Sequence, residues 1–597
     1  MPPPVQPPEA LFPTVRPATP TEQIIPRIVI ASRTHLQLQG LTRELKQSPY
    51  AAVNMTTLSS RKHSCINNEV KDLGAGAGPA CLSLLRADGE GCPTRRTKPL
   101  KRHGVCDSSW DIEDLVAAGH TTRSCPYYTA HELQATAALI LATHAHLVTD
   151  SGSSTISGCV VVLDEGHHLA DLLQSSASMA LTEDTLTQSL ATLESAASAS
   201  NVDLRPLICN ISAAIASILC WQQEHSELAF DSHDGRFPLA SAQHTWLSDV
   251  CMNDPERFAD DVTALKTAYQ EGLCPAMNIG VLTLLTKLST VCVRLQAHPE
   301  AYDVAAWYVS GQRELHITCV SAAPCYNRIF DDAHAVIIIS ATLGCFDVLS
   351  TALGHRFPVR LRVGDFMQPG QVLPLTVTEC LQGDDLRLTA AALRTAKTQD
   401  ALGVLVLASA HFCNAGTVVF FPSQATLRSL ITQWQLTSAW AELHAHHGGH
   451  LYIEASTDGW PSYKSAVQGG FKPVLFAAMR SKLAEGESFN GDLARLIITI
   501  GVPFLDPRTP ATSSRLAKLE AGGFSSFAWS INDAMRCVCQ ALGRGVRGAD
   551  DWCAFLLIDS RLANPGYNVR LPRWARQGPF DSTSTALAEL ESYFNAK

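Results

Sequence analysis

Four apolar residues, Val160-Val161-Val162-Leu163, run straight into Asp164-Glu165-Gly166-His167. An apolar strand that delivers two adjacent carboxylates is how nucleotide hydrolases place a magnesium-binding aspartate beside a group that orients the attacking water. Read this way, Asp164 holds Mg²⁺, Glu165 polarises water and His167 passes nucleotide state onward. Near the C-terminus, Gln540-Ala541-Leu542-Gly543-Arg544-Gly545-Val546-Arg547 sets two arginines three apart, on one face of a helix. Two guanidiniums aimed at one point suit a phosphate whose charge grows in the transition state. An arginine so placed contributes roughly 10³ to 10⁵ in rate. The plain alternatives are a solvated acidic strand end and a solvated basic helix face.

Three shorter groups also follow apolar runs. Ser32-Arg33-Thr34-His35 comes after Ile28-Val29-Ile30, and hydroxyls with an arginine at a helix start suit the phosphates of DNA. Ser340-Ala341-Thr342 follows the run from Ala335, and Glu485-Gly486 comes after Val474 to Phe476. Ligands of open α/β sheets bind beyond the carboxyl ends of strands, so these are the positions where chemistry is expected.

Nineteen cysteines are present, and five of them (Cys65, Cys81, Cys92, Cys106, Cys125) fall between residues 65 and 125. An even spread would put roughly two there. No signal-peptide pattern opens the chain, so disulfides are not expected. The segment also carries the basic run Arg95-Arg96-Thr97-Lys98-Pro99-Leu100-Lys101-Arg102, which reads as a solvated loop, a DNA contact or a nuclear-import patch.

The elements that must position these groups alternate between strand and helix. Buried-strand runs occur at Ile28 to Ile30, Val160 to Leu163, Ala335 to Ser340, Thr417 to Phe421, Val474 to Phe476, Leu496 to Ile500 and Phe555 to Ile558. A helix is expected from His35 to Lys46. From 181 to 325 the period changes: Leu186, Leu190 and Leu193 stand at i, i+4, i+7, and Ile279 to Leu295 reads the same way. The fold class is therefore α/β, two parallel-sheet domains with insertions in the first. Nine prolines in residues 1–26 predict a disordered tail. No apolar run is expected to span a membrane. The nearest, Leu402 to Phe421, contains His411 and Asn414 and reads as buried strands. At 46% hydrophobic, 17% charged and net −10, the chain is apolar enough to fold, and any nucleic-acid contact must come from local basic patches.

The order of these motifs resembles the XPD-like iron–sulphur DNA helicases of superfamily 2, of DEAH type, over about Arg27 to Phe594. Within that family the chain is most similar to the chromosome-loss helicases of sister-chromatid cohesion. The residues that carry this are Ile30 to His35, Ser60 to Asn67, Val70 to Gly74, Thr417 to Ser423 and Lys482 to Phe489. The resemblance implies two RecA-like motor domains, ATP and Mg²⁺ between them, and a 4Fe–4S cluster. It implies Cys65, Cys81, Cys92 and Cys125 as the cluster ligands, with Cys106 the competitor for third place. Gln540, Arg544 and Arg547 join Asp164, Glu165 and His167 in catalysis. Gly543, Glu485 and Gly486 line the nucleotide, Ser340 and Thr342 couple it, and Ser32, Arg33, Thr34 and His35 touch DNA. Implied boundaries are a tail at 1–25, a first motor at 26–180 containing the cluster domain at 58–130, a helical arch at 181–328, the end of the first motor and a linker at 329–369, and a second motor at 370–597. Expected partners are single-stranded or forked DNA and replication or cohesion proteins, with no membrane. The family implies 5′-to-3′ movement and a nuclear location.

The sequence also departs from the family. It contains no Gly-Lys pair, so the phosphate loop expected before Ser32 is absent. Gly166 stands where alanine is usual, and Glu487 and Ser488 replace an aliphatic residue and an Asp or Asn. Two expectations follow: a helicase whose N-terminal part precedes this sequence, or a complete DNA-binding pseudo-helicase. Either way the chain is expected to hydrolyse ATP poorly, and loss of the loop's strand to leave a sheet edge bare. A DEAH-type RNA helicase would not need the cysteine insertion.

Overall fold

The computed structural model describes residues 26–95, 109–149, 155–227, 245–309, 312–344, 346–364, 367–456, 458–481, 483–484, 487, 489–546, 548, 550–576 and 582–597. The proline-rich tail, most of the basic run, Cys106, Glu485, Gly486, Ser488 and Arg547 lie outside the described residues.

The strands in chain order are β1 (Ile28–Ser32), β2 (Met55–Thr57), β3 (Leu139–Thr143), β4 (Val160–Asp164), β5 (Met179–Thr182), β6 (Tyr302–Val309) and β7 (Gln312–Cys319). They continue with β8 (Ala335–Ile339), β9 (Val372–Val377), β10 (Thr417–Phe421), β11 (Leu451–Ile453), β12 (Val474–Ala478), β13 (Leu496–Ile500) and β14 (Cys553–Ile558). Two parallel sheets result, with orders β2-β3-β1-β4-β8 and β11-β12-β10-β13-β14-β9. Four helices matter below: α1 (His35–Gln47), α2 (Leu169–Ser176), α3 (Pro510–Ala521) and α4 (Ser526–Leu542). The mixed α/β architecture with two parallel sheets agrees with the sequence reading.

Local sequence explains the elements around the site. Thr34 caps α1 in a reciprocal box: the Gln37 amide donates to Thr34 Oγ1 at 3.3 Å and the Thr34 amide to Gln37 Oε1 at 3.0 Å. Ser525 caps α4, which buries Ile531, Ala534, Met535, Val538 and Leu542 at three- and four-residue spacing against the second sheet.

One expectation needs correction, and two features were not foreseen. Leu402 to Phe421 is not all strand: Ala396–His411 is a helix, capped by Thr395, and only Thr417–Phe421 is extended. Its buried Leu402, Leu405, Val406 and Ser409 follow a helical period that a continuous apolar run conceals. Within the mainly helical insertion, β5, β7 and β6 form an antiparallel sheet. Alternation of Leu315, Ile317 and Cys319 with polar residues is the period-2 signal that marks it. Finally, helix Ile279–Ala297 is by length and composition apolar enough to cross a membrane, although it lays Leu282, Leu285, Leu288, Cys292 and Leu295 into the protein core.

The two parallel sheets differ in cover. In the first, α1 packs Leu38 over Met55, Leu139 and Leu141, with Ile30 beside them. The same face continues across the register Ile30–Val162–Ile337 to the edge strand β8. There Ile337 and Ile339 are 47% and 44% exposed. Parallel sheets are ordinarily buried on both faces. Residues Val359, Leu361 and Val363, after β8 in the chain, are more exposed still.

Candidate nucleotide site between the two sheets

Strand β4 ends at Asp164, and Glu165 turns the chain in a left-handed conformation at φ 55°. A non-glycine residue held there costs on the order of 1–3 kcal/mol, so surrounding contacts must fix it. They do. The Ser340 hydroxyl, just past β8, donates to Glu165 Oε2 at 2.8 Å, and His167 Nδ1 lies 2.7 Å from the same hydroxyl and 3.3 Å from Glu165 Oε2. The Thr342 amide donates to Ser340 Oγ at 3.0 Å. Gly166 has a steric reason: a Cβ there would overlap Ile338 Cγ2 of β8.

The carboxylates are set apart electrostatically. Burial raises Asp164 above the usual range and the charge of Glu165 adds to it, against a 3.1 Å hydrogen bond from Ser32. Burial also acts to raise Glu165, but His167, Ser340 and the Arg544 charge outweigh it and hold the group down to about 2. Glu165 therefore stays ionised at neutral pH. A cation beside Asp164 would relieve the carboxylate repulsion there.

The second sheet supplies the opposite wall. Gln540 on α4 contacts His167 Nε2, and lies 3.2 Å from His168 Nε2. Arg544 is buried, donates to the Glu487 carbonyl at 3.2 Å and acts on Glu165 by charge. Gly543 is the exposed C-cap of α4. Asp164, Glu165, His167, Ser340, Thr342, Gln540 and Arg544 thus meet in one place.

The Ser-Arg-Thr-His group is buried at Ser32 and half-buried at Arg33, Thr34 and His35. Ser32 is fully buried, and its hydroxyl donates to Gln37 Oε1 at 2.9 Å and to Asp164 Oδ2 at 3.1 Å. Register explains this, because Ala31 pairs with Leu163 and the next residues are Ser32 and Asp164. Arg33 contacts His168, and Thr34 caps α1. His35 packs 4.6 Å from His63, and burial with that neighbour lowers it to about 4.

Sequence reasoning missed an ionic group next to this wall. Arg515 of α3 donates to Asp171 of α2 at 2.7 Å and also contacts Gln174. Arg536 of α4 donates to Asp171 at 3.3 Å, to Asp533 at 2.6 Å and to the His167 carbonyl at 2.8 Å. Arg480 completes the group at 2.5 Å from Asp533. The legible signal was helical spacing: Asp533, Arg536 and Gln540 lie on one face of α4.

Cys65, Cys81 and Cys92 are buried and Cys125 is partly buried. Cys65 and Cys81 share one small core cluster. Burial raises the Cys65 thiol, with Cys81 and Cys92 adding to it, and burial raises Cys125, with Cys65 and Cys92 adding. The four thiols are therefore electrostatic neighbours. Arg61 lies 4.1 Å over Tyr127 and Arg95 4.2 Å over Tyr128, closing the segment around them. Among the described residues no group of three or more His, Cys, Asp or Glu side chains is arranged as a metal site.

Comparisons with known proteins bear on this geometry. Residues 30–186 match the DEAD_2 family model and 406–578 match that of the helicase C-terminal domain. A Fanconi anemia group J protein homolog from Gallus gallus is 26% identical, over 94% of this chain and 51% of its own length. An ATP-dependent DNA helicase CHL1 from Candida glabrata is 23% identical, over 95% of this chain and 74% of its own. The solved structure titled XPD_Helicase superposes with a TM-score of 0.57 at 15% identity, covering 93% of this chain and 91% of that one. The chain spans about half the length of the first relative.

Proposed function

Since the chain belongs to the XPD-like superfamily 2 helicases, we propose that it carries the working parts of an ATP-driven DNA motor. The observation that carries this reading is the contact of Gln540 with His167, whose other ring nitrogen faces Ser340 and Glu165. It joins one sheet's carboxylates to the other sheet's arginine wall, which a nucleotide-gated motor requires. Asp164 would hold Mg²⁺, which neutralises phosphate charge when bound. Glu165 orients water, and Arg544, with Arg547 beyond the described residues, offsets charge on the transferred phosphate. Ser340, Thr342 and His167 report the state of Glu165 to Gln540. DNA is the partner, with repair or chromosome cohesion the proposed setting and the nucleus the proposed location.

We also propose that this 597-residue chain alone turns ATP over slowly, because its sequence holds no Gly-Lys phosphate loop. The second reading is a DNA-binding scaffold that does not depend on hydrolysis. Assays of DNA binding and DNA-stimulated ATP hydrolysis separate these. The motor reading expects single-stranded DNA binding and a residual ATPase that Glu165→Gln lowers by about 10²- to 10⁴-fold. DNA binding with turnover indifferent to Glu165→Gln supports the scaffold. Fast turnover by the unaltered chain overturns the proposed impairment, and no DNA binding overturns both readings.

Cys65, Cys81, Cys92 and Cys125 are proposed to hold a 4Fe–4S cluster. Three buried thiols and a partly buried one, with Cys65 and Cys92 each an electrostatic neighbour of Cys125, suit thiolate ligation, and the short Cys-x₂₋₄-Cys pairs of zinc sites are absent from this segment. Anaerobically purified protein should be brown and contain about four irons per chain. Iron-free, colourless protein would remove the claim, and iron retained in Cys92→Ser would shift the third ligand to Cys106.

A further inference from the structure

Asp171 lies beyond the catalytic loop, at the start of α2, and belongs to none of the motifs discussed above. Its two carboxylate oxygens are divided between two helices of the other sheet. Oδ1 accepts from Arg515 of α3 at 2.7 Å, and Oδ2 accepts from Arg536 of α4 at 3.3 Å. The Arg536 guanidinium bridges three groups: Asp171, Asp533 on its own helix, and the backbone carbonyl of His167. Arg480 braces Asp533 from behind while donating to the Pro503 carbonyl at 2.7 Å. One carboxylate thus joins α2 to both α3 and α4, four residues from the histidine that meets Gln540.

We propose that Asp171 is a positioning residue, an ionic lock that sets α4 against the Asp-Glu loop and so places Gln540 on His167 before any nucleotide binds. Arg536 and Gln540 are one helical turn apart, so fixing the first on the His167 carbonyl fixes the second on the His167 ring. Burial works against the Asp171 carboxylate, yet Arg515 and Arg536 hold it below the ordinary range, so the lock is charged throughout the neutral region. The functional consequence rests on the motor reading above, whereas the lock itself does not.

Hydrogen exchange of the full chain, with neither nucleotide nor DNA added, tests it. Asp171→Asn should raise exchange at least about tenfold in α3 and in residues 165–171, while β10 and β13 keep their protection. Asp171→Glu should restore most of it. Arg515→Gln, at a partly exposed guanidinium, gives a second route should Asp171→Asn fail to fold, and should loosen the same two segments together. Wild-type exchange in both charge-removing variants, or protection lost equally from β10 and β13, would overturn the lock. Because no activity is read, the lock can fail while the motor reading stands, and the reverse.

Discussion

The two parallel sheets of this protein are built on one plan and finished differently. In the second, every residue of β10, β12, β13 and β14 is buried. In the first, the apolar face that begins under α1 runs out into solvent at β8, where Ile337 and Ile339 are half bare. Yet the first sheet carries the paired carboxylates and the strained Glu165 backbone, the features that cost stability. The carboxylate geometry at β4 and β8 is thus held less by its own sheet's packing than by hydrogen bonds among Glu165, His167 and Ser340 and by charges arriving from the other sheet.

Matched core truncations give the largest expected contrast. Ile498→Ala, in the buried centre of the second sheet, should cost about 2–5 kcal/mol in urea unfolding. Ile337→Ala should cost under about 1.5 kcal/mol, since half of that side chain already meets water. Equal losses would show that β8 is covered in solution and would break the contrast.

Acid should separate the sheets next. Burial lowers His35, His144 and His146 of the first sheet's domain to about 4, against His447 in the second. These rings fold neutral, so between pH 6.5 and 4 the unfolded chain binds more protons. The stability they contribute is complete above pH 6.5 and lost as pH falls through 4. For buried His144 that is on the order of 3 kcal/mol. Segment-resolved hydrogen exchange should show β1 and β3 opening at higher pH than β10 and β13. Simultaneous opening would contradict it.

The smallest effect probes the carboxylate loop. Gly166→Ala should destabilise by about 1–3 kcal/mol through overlap with Ile338, and Ile338→Ala should make the added methyl nearly neutral. A double-mutant cycle measures this, and purely additive losses would mean that Gly166 serves some other need.

Much of this site was legible in linear order. Asp164-Glu165 at the end of a valine run, and Gln540 in helical phase with Arg536, need only local period and charge to be read, whereas the shared helix face expected for Arg544 and Arg547 is not met at Arg544, because α4 ends at Leu542 and Gly543 turns the chain. The short strands β2 and β11 were not legible, because three residues carry no decisive period. The burial of Ser32 was hidden for a related reason. Its hydroxyl looks free in sequence, and only the pairing of β1 with β4 turns it toward Asp164.

The sequence by itself determined the α/β class, the adjacency of Asp164 and Glu165 at a strand end, and the thiols grouped between residues 65 and 125, since each depends on residue type at short spacing. Tertiary structure alone decided what joins the walls. Asp171, Arg515 and Arg536 are distant in sequence and ordinary in composition, and their meaning arises when α2, α3 and α4 share one carboxylate. Bareness at β8 was likewise a tertiary outcome. An Ala-Val-Ile-Ile-Ile strand reads as core, and whether it is buried depends on what other elements lie across it.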